Sequence, residues 1–341
     1  MENEKNNTPL LSVKDLKVNF NTLSGGGADG KAAGKIYALN GVNFDLYHEE
    51  TLAIVGESGS GKSQTSLAIM GILAKNANVG GEINYHGKNL LTLSSSELNK
   101  IRGTSISMIF QDPMTSLNPY LRVSTQLTEV LTEKGVSEAD ARAKAIEILN
   151  SLSIPKAEKV IDNYPYQFSG GMRQRIMIAM SLMSDSEIII ADEPTTALDV
   201  TIQAQILDII NKLKTSMKKA IIFITHDLGV VSEIADKIAV FYAGEIVEVG
   251  TRDEIFNSPK HPYTIGLLKS IPRLDQDSRE KLFLIEGNPP LLKSEPASCS
   301  FKDRCNSAMA ICRESKPTRQ EISKTHAFSC FRYDNKESGY E

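Results

Sequence analysis

Apolar and polar residues alternate over Leu10–Phe20 (LLSVKDLKVNF) and again around Tyr37–Leu46, which predicts strands with one buried face. The glycine-rich stretch between them, Ser24–Gly34, makes the two runs a hairpin with a long, flexible connection. The pattern then changes. ETLAIVGESGSGKS opens on a continuous apolar run, passes through a Gly-rich turn and enters a helix whose Leu67, Met70 and Leu73 share one face. From about Leu117 to Met183 the apolar spacing is mainly helical, as in ADARAKAIEILNSL (Ala139–Leu152). Unbroken apolar runs return at IIIAD (Ile188–Asp192) and IIFIT (Ile221–Thr225), and these suit central strands of a buried parallel sheet. DKIAVFYAGEIVEVG (Asp236–Gly250) predicts a strand pair turning at Ala243–Gly244. After Pro259 the chain becomes Pro-rich and irregular, so a boundary is placed near Asn257–His261. No internal repeat is evident.

Composition narrows the class. A chain of 341 residues can bury one large core, or one domain with a substantial appendix. Its 41% hydrophobic and 23% charged residues are those of an ordinary soluble protein. A formal net charge of -4 argues against a nucleic-acid partner, which calls for a basic surface. No apolar run approaches the ~18 residues needed to cross a bilayer. The opening MENEKNNTPLL is polar and acid-bearing, so a secretory signal is not expected. Any service to a membrane would then come from docking to membrane subunits on the cytoplasmic side.

GESGSGKS (Gly56–Ser63) fits the full phosphate-loop pattern G-x-x-x-x-G-K-[ST]. Gly59 and Gly61 let backbone N–H groups turn inward, and the helix that follows offers its positive end. The expected nucleotide contacts are Gly56, Ser58, Gly59, Ser60, Gly61, Lys62, Ser63 and Gln64. Lys62 would reach the β- and γ-phosphates of ATP and Ser63 would ligate Mg²⁺. A bland surface turn is the competing reading, and the apolar strand before and amphipathic helix after weigh against it.

IIIADEP (Ile188–Pro194) places two carboxylates after a buried strand. Alone they are as readily a solvated turn; downstream of a phosphate loop, Asp192 is expected to hold Mg²⁺ through water and Glu193 to activate the attacking water. Gln111, after the apolar ISMIF, could reach Mg²⁺ or that water, and His226 could bond the γ-phosphate as a sensor. Phe20 is the candidate for stacking on adenine and Tyr37 the reserve, although either could simply be core. A GTPase would carry an N-K-x-D guanine reader, which is absent from the sequence.

In order, GESGSGKS, FQDP (Phe110–Pro113), FSGGM (Phe168–Met172), IIIADEP, ALD (Ala197–Asp199) and ITHD (Ile224–Asp227) resemble the nucleotide-binding subunits of ABC transporters over roughly Leu10–Asn257. FSGGM is the most telling, since neither an ordinary nucleotidase nor a small-molecule kinase has a use for it. The resemblance implies an α/β P-loop NTPase fold: a RecA-like core, an antiparallel β subdomain and a helical subdomain at about 117–183. It further implies two such subunits meeting head to tail, with Ser169, Gly170 and Gly171 on the γ-phosphate of the partner's ATP and Asp199 crossing the interface. DPMTSLNP (Asp112–Pro119) would receive a coupling helix of a membrane subunit.

FSGGMRQRIMIAMSL, HPYTIGLLKSIP (His261–Pro272) and EGNPPLL with the cysteines after it narrow the resemblance to the oligopeptide/dipeptide permease ATPases, and FSGGMRQR to their D-type subunit. That implies an ABC domain at 1–258 and a permease-type extension at 259–341. It also implies a peripheral protein at the cytoplasmic face of the membrane. The expected partners are an F-type ATPase forming a heterodimer, two transmembrane permease subunits and an extracytoplasmic peptide-binding protein. An importer of nickel or another small solute is the alternative. A soluble ABC ATPase is the more distant one, because such proteins usually carry two ATPase domains in one chain or a long inserted coiled coil. A non-hydrolysing subunit is argued against by Glu193.

All four cysteines, Cys299, Cys305, Cys312 and Cys330, lie in the final stretch, spaced C-x5-C-x6-C-x17-C. This is not the C-x2-C knuckle of structural zinc, and clustered cytosolic thiols are more often ligands or plain thiols than disulfides. The family resemblance implies a [4Fe–4S] cluster on these four residues; zinc and unligated thiols stay open as readings of the spacing. His326 is read as a surface histidine, near enough to serve as a substitute ligand.

Overall fold

The computed structural model describes residues 8–23, 32–112, 116–196, 200–271 and 284–333. The chain forms two compact units, one made of Met1–Leu46, Leu52–Leu91 and Thr225–Glu341, the other of Tyr47–Thr51 and Thr92–Ile224.

The first unit begins as the alternation demands. Strands β1 (Leu11–Leu23) and β2 (Ala32–Leu46) pair antiparallel, with Leu11 opposite Leu46 and Val13 opposite Phe44. Leu11, Val13, Leu16 and Val18 are buried while Lys14 and Asp15 face solvent, a half-buried strand with an irregularity between Val13 and Leu16. Most of the glycine-rich connection lies outside the described residues. Strand β3 (Thr51–Val55) is buried along its whole length, and the phosphate loop follows it. Strands β4 (Ala77–Tyr85) and β5 (Lys88–Asn89) complete a sheet in the order β2-β1-β4-β5.

The second unit holds the parallel strands β6 (Ile106–Ile109), β7 (Ile188–Asp192) and β8 (Ala220–Thr225, whose last residue begins the return to the first unit), with Ile106 opposite Ile188 and Ile190 opposite Ile222. All three are buried throughout, as parallel strands covered on both faces require, and the one polar residue inside β6, Ser107, shares a hydrogen bond with the Ser186 hydroxyl at 2.8 Å. Helices Val123–Thr132, Glu138–Ser151 and Gly170–Met183 pack on one another, and Leu127, Ala141, Ala145, Leu149 and Ile176 are buried on them. The Gln126 amide pins the chain before the first of them, donating to the carbonyls of Asn118 (2.9 Å) and Leu121 (3.0 Å).

Back in the first unit, β9 (Lys237–Tyr242) runs parallel to β3 and antiparallel to β10 (Glu245–Thr251). The turn between them puts Ala243 at φ 47 and Gly244 at φ 79, the left-handed pair a two-residue hairpin needs. Two tail strands, β11 (Gln320–Glu321) and β12 (Ala327–Phe328), extend this edge, with Phe328 opposite Glu248 of β10. No helix among the described residues is long and apolar enough to cross a membrane.

Two expectations are corrected. The helix after the phosphate loop is Lys62–Ile69, and it buries Lys62, Thr65, Ser66, Ala68 and Ile69; of the expected Leu67–Met70–Leu73 stripe only Met70, at the C-cap, is buried, Leu67 and Leu73 being half-buried. Gly71, at φ 63, ends it before Leu73 is reached, and its small residues allow close packing. His326 is not on the surface: its side chain is 4% exposed, and its Nε2 lies 2.8 Å from Oε1 of the fully buried Glu248. Glu248 also accepts from the backbone N–H groups of Lys260 (2.7 Å) and His261 (2.8 Å), so one buried carboxylate ties β10 to two parts of the tail.

Candidate nucleotide site

The first unit carries the phosphate loop. Gly56, at φ +152, brings its backbone so near β9 that a Cβ would fall 2.2 Å from the Phe241 carbonyl oxygen. At Gly61, φ +103, a Cβ would fall 2.7 Å from the Ala38 carbonyl oxygen. Glycine is therefore required at both positions. The Lys62 ammonium is buried and donates to the carbonyls of Gly56 (2.7 Å) and Glu57 (2.9 Å), at the mouth of the loop. The Ser60 hydroxyl is buried, with no hydrogen-bond partner among the described residues. An inward-turned loop, a buried cation, an unsatisfied hydroxyl and a helix N-terminus together fit the phosphates of a nucleotide. Ser58 and Gly59 are exposed; Ser63 and Gln64 are half-buried on the first turn of the helix.

His226 follows β8 and is exposed. The Asp227 carboxylate caps the next helix, accepting from the Gly229 N–H at 2.8 Å, which fixes the local turn. Phe20 and Tyr37 sit half-buried on adjacent strands. The register sets Phe20 against Ile36 and Asn19 against Tyr37, so the two aromatics occupy opposite faces of the sheet.

The second unit carries the carboxylates. Asp192 ends β7 and is buried; Glu193 is half-buried at φ 48, a strained conformation for a residue with a side chain. Two backbone bonds hold it there: Glu193 donates to the Ile224 carbonyl at 2.9 Å and accepts from the Thr196 N–H at 3.2 Å. Its Oε2 accepts from Gln111 Nε2 at 3.0 Å and from the Thr196 hydroxyl at 2.9 Å. Gln111 and Glu193 are thus brought into direct contact. Thr196, not singled out from the sequence, completes the set, and Gln174 steadies the turn by donating to the Pro194 carbonyl at 2.7 Å.

Ser169 caps the helix Gly170–Met183, its Oγ accepting from the Met172 N–H at 3.3 Å. Among the described residues a Cβ on Gly170 would meet nothing within 4 Å, and one on Gly171 would meet the Ile202 side chain first, at 3.4 Å. Packing among the described residues therefore gives no reason for glycine at position 170. Asp199 lies outside the described residues, as do Pro113, Met114 and Thr115 of the segment expected to receive a coupling helix.

The tail gathers its cysteines. The Cys299 N–H donates to the Cys312 carbonyl at 3.1 Å, and Cys299 and Cys305 pack against the buried core. Burial, reinforced by the other three thiols, pushes the Cys299 thiol up to about 11, and burial also raises Cys305 and Cys330. All four are free cysteines. Among the described residues no three His, Cys, Asp or Glu side chains stand close enough to hold a single metal ion.

A glycine-required phosphate loop after a buried strand, a carboxylate pair at the end of another and a serine-capped helix opening on two glycines stand in one chain. The class so defined is the ATP-binding cassette ATPase, an α/β P-loop fold. A family model described as "ABC transporter" matches residues 39–196, and one described as "Oligopeptide/dipeptide transporter, C-terminal region" matches residues 247–312. The chain is 50% identical to the oligopeptide transport ATP-binding protein OppD of Escherichia coli K12 over 95% of its length and 93% of that protein's. It is 52% identical to the dipeptide transport ATP-binding protein DppD of Lactococcus lactis over 93% of its length and 89% of that protein's. Among solved structures, the dimeric post-hydrolysis ATP-binding cassette MJ0796 bound to ADP and Pi matches with a TM-score of 0.62 and 28% identity, covering 71% of this chain and 98% of that one. The chain belongs to the oligopeptide/dipeptide transporter ATP-binding proteins of the ABC family.

Proposed function

We propose that this protein is the ATP-hydrolysing subunit of a peptide importer, driving uptake of di- or oligopeptides by closing on a partner ATPase. The observation that carries the reading is about half identity, over nearly the whole chain, to proteins named for oligopeptide and dipeptide transport. In this reading residues 1–258 are the nucleotide-binding domain, with its helical subdomain at about 117–183, and 259–341 the permease-type extension. The protein acts at the cytoplasmic face of the membrane as a peripheral subunit, beside a different, F-type ATPase, two permease subunits and an extracytoplasmic peptide-binding protein. An importer of nickel or another small solute would use the same machinery.

At the nucleotide, Gly56, Ser58, Gly59, Ser60, Gly61, Lys62, Ser63 and Gln64 hold the phosphates, with Lys62 neutralising the β- and γ-groups, and Phe20 stacks on adenine. Ser63, Gln111 and Asp192 supply the hard oxygen donors Mg²⁺ takes, and the ion would offset phosphate charge. Glu193, steadied by Gln111 and Thr196, takes the proton of the attacking water, and His226 reads the γ-phosphate. Ser169, Gly170 and Gly171 present a helix N-terminus to the γ-phosphate held by the partner, and Asp199 couples the two sites.

Cys299, Cys305, Cys312 and Cys330 form the all-thiol donor set that a [4Fe–4S] cluster takes, and such a group would staple an irregular tail. Zinc and unligated thiols are the alternatives on the same four residues, and among the described residues no three His, Cys, Asp or Glu side chains are grouped as a metal site. One preparation tests both assignments: the chain affinity-purified anaerobically from solubilised membranes. It should bring down a second, different ATPase and two membrane subunits, together with iron and acid-labile sulfide. A homodimer without membrane subunits contradicts the partner assignment, and absence of iron and sulfide contradicts the cluster.

A further inference from the structure

Glu57 is an acid in a loop that binds anions, the second residue of GESGSGKS. Its carboxylate would repel the phosphates of a nucleotide unless something opposed it. The structure supplies the opposing charge from 247 residues away: Arg304 Nη1 donates to Glu57 Oε2 at 2.6 Å and Nη2 to Oε1 at 3.0 Å. The pair is sheltered, with the Arg304 side chain 7% and the Glu57 side chain 24% exposed. Such a two-pronged contact fixes direction as well as charge.

Arg304 is itself immobilised. Its Nε donates to the Glu286 carbonyl at 2.9 Å, its Nη2 also to the Ile285 carbonyl at 3.1 Å, and its guanidinium lies over the Tyr242 ring at 5.8 Å. The segment that carries it, between Cys299 and Cys305, is anchored by the buried Phe301, whose ring packs on Tyr242 at 5.1 Å and on Tyr263 at 5.4 Å. Tyr263 closes the circuit, its Oη accepting from the Glu57 N–H at 2.9 Å. The Glu57 carbonyl accepts from Lys62 Nζ at 2.9 Å. Side chain, N–H and carbonyl of Glu57 are thus each held, the first two by the tail side and the third by the lysine that meets the phosphates.

We propose that Arg304 is a positioning residue of the ATP site: it neutralises and orients Glu57, so that the C-terminal extension sets the affinity of the phosphate loop for ATP. The proposal rests on ATP binding at this loop. It acts on binding, so it moves Kd and KM for ATP and leaves kcat nearly alone.

The test titrates MANT-ATP, with Mg²⁺, into the purified full chain and measures steady-state ATPase of the transporter complex. Arg304→Ala should weaken MANT-ATP binding and raise KM by about tenfold, the scale of one lost charge-assisted contact, with kcat changed less than about threefold. Arg304→Lys keeps the charge without the fork and should fall between. The decisive variant is Arg304→Ala combined with Glu57→Gln. Removing the uncompensated carboxylate should restore most of the affinity, which loss of a mere structural staple would not. Unchanged affinity in Arg304→Ala, or no recovery in the double variant, overturns the proposal. Wild-type protein that fails to bind MANT-ATP overturns the ATP reading of the loop, and this proposal with it.

Discussion

Replacing Glu193 by Gln is expected to lower ATP turnover by about 10²–10⁴-fold, the contribution of a positioned general base, while leaving ATP binding intact. The local geometry makes the substitution clean. Gln matches Glu in size, and the left-handed backbone at φ 48 is held by the Ile224 and Thr196 bonds rather than by the side chain. What changes is basicity. A carboxamide cannot take a proton from water, and only its oxygen can still accept from Gln111 Nε2 and the Thr196 hydroxyl, each now about 3 Å from Oε2. With chemistry blocked and binding preserved, ATP should accumulate in a closed complex and transport should stall. Single-turnover hydrolysis of bound ATP checks this, and unchanged turnover contradicts the role of Glu193.

Gly170→Asp should separate the chain's own stability from its activity. The position is the first residue of the helix behind the Ser169 cap, exposed, with nothing among the described residues within 4 Å of where a Cβ would stand. An acid in the first turn of a helix stabilises it by roughly 0.3–1 kcal/mol, so thermal unfolding of the isolated chain should be unchanged or slightly raised. ATPase of the complex should fall by at least ~100-fold, because in the proposed closed dimer the same carboxylate would point at the partner's γ-phosphate. Loss of activity together with loss of stability would make the glycine a folding requirement. Full activity with Asp in place would remove the signature helix from the site.

Much of the fold is legible where one physical requirement dominates. Parallel strands buried on both faces must be continuously apolar, so TLAIV, IIIAD and AIIFIT announce themselves. The left-handed turn at Ala243–Gly244 is similarly marked by its glycine. The phosphate loop is readable because two of its glycines are compelled by backbone clashes that any Cβ would create. Pairings between distant residues are another matter. Nothing local marks Arg304 as the partner of Glu57, or His326 as the partner of Glu248, since an arginine beside a cysteine and a histidine in a polar tail read as surface residues. Thr196 was hidden for a related reason: its hydroxyl meets the Glu193 carboxylate across a turn whose left-handed backbone at Glu193 no local pattern announces. The two-residue strands β11 and β12 are too short to carry a period at all.

The central claim is that ATP held by this loop powers peptide import. Uptake of labelled peptides of graded length, in cells carrying wild-type protein or Lys62→Ala, tests it most directly, with nickel uptake followed in parallel and redundant transporters deleted. The account predicts that Lys62→Ala abolishes peptide uptake, since the buried ammonium at the mouth of the loop is lost, while nickel uptake is unaffected. Peptide uptake that persists in Lys62→Ala cells would contradict it, and a selective fall in nickel uptake would reassign the cargo.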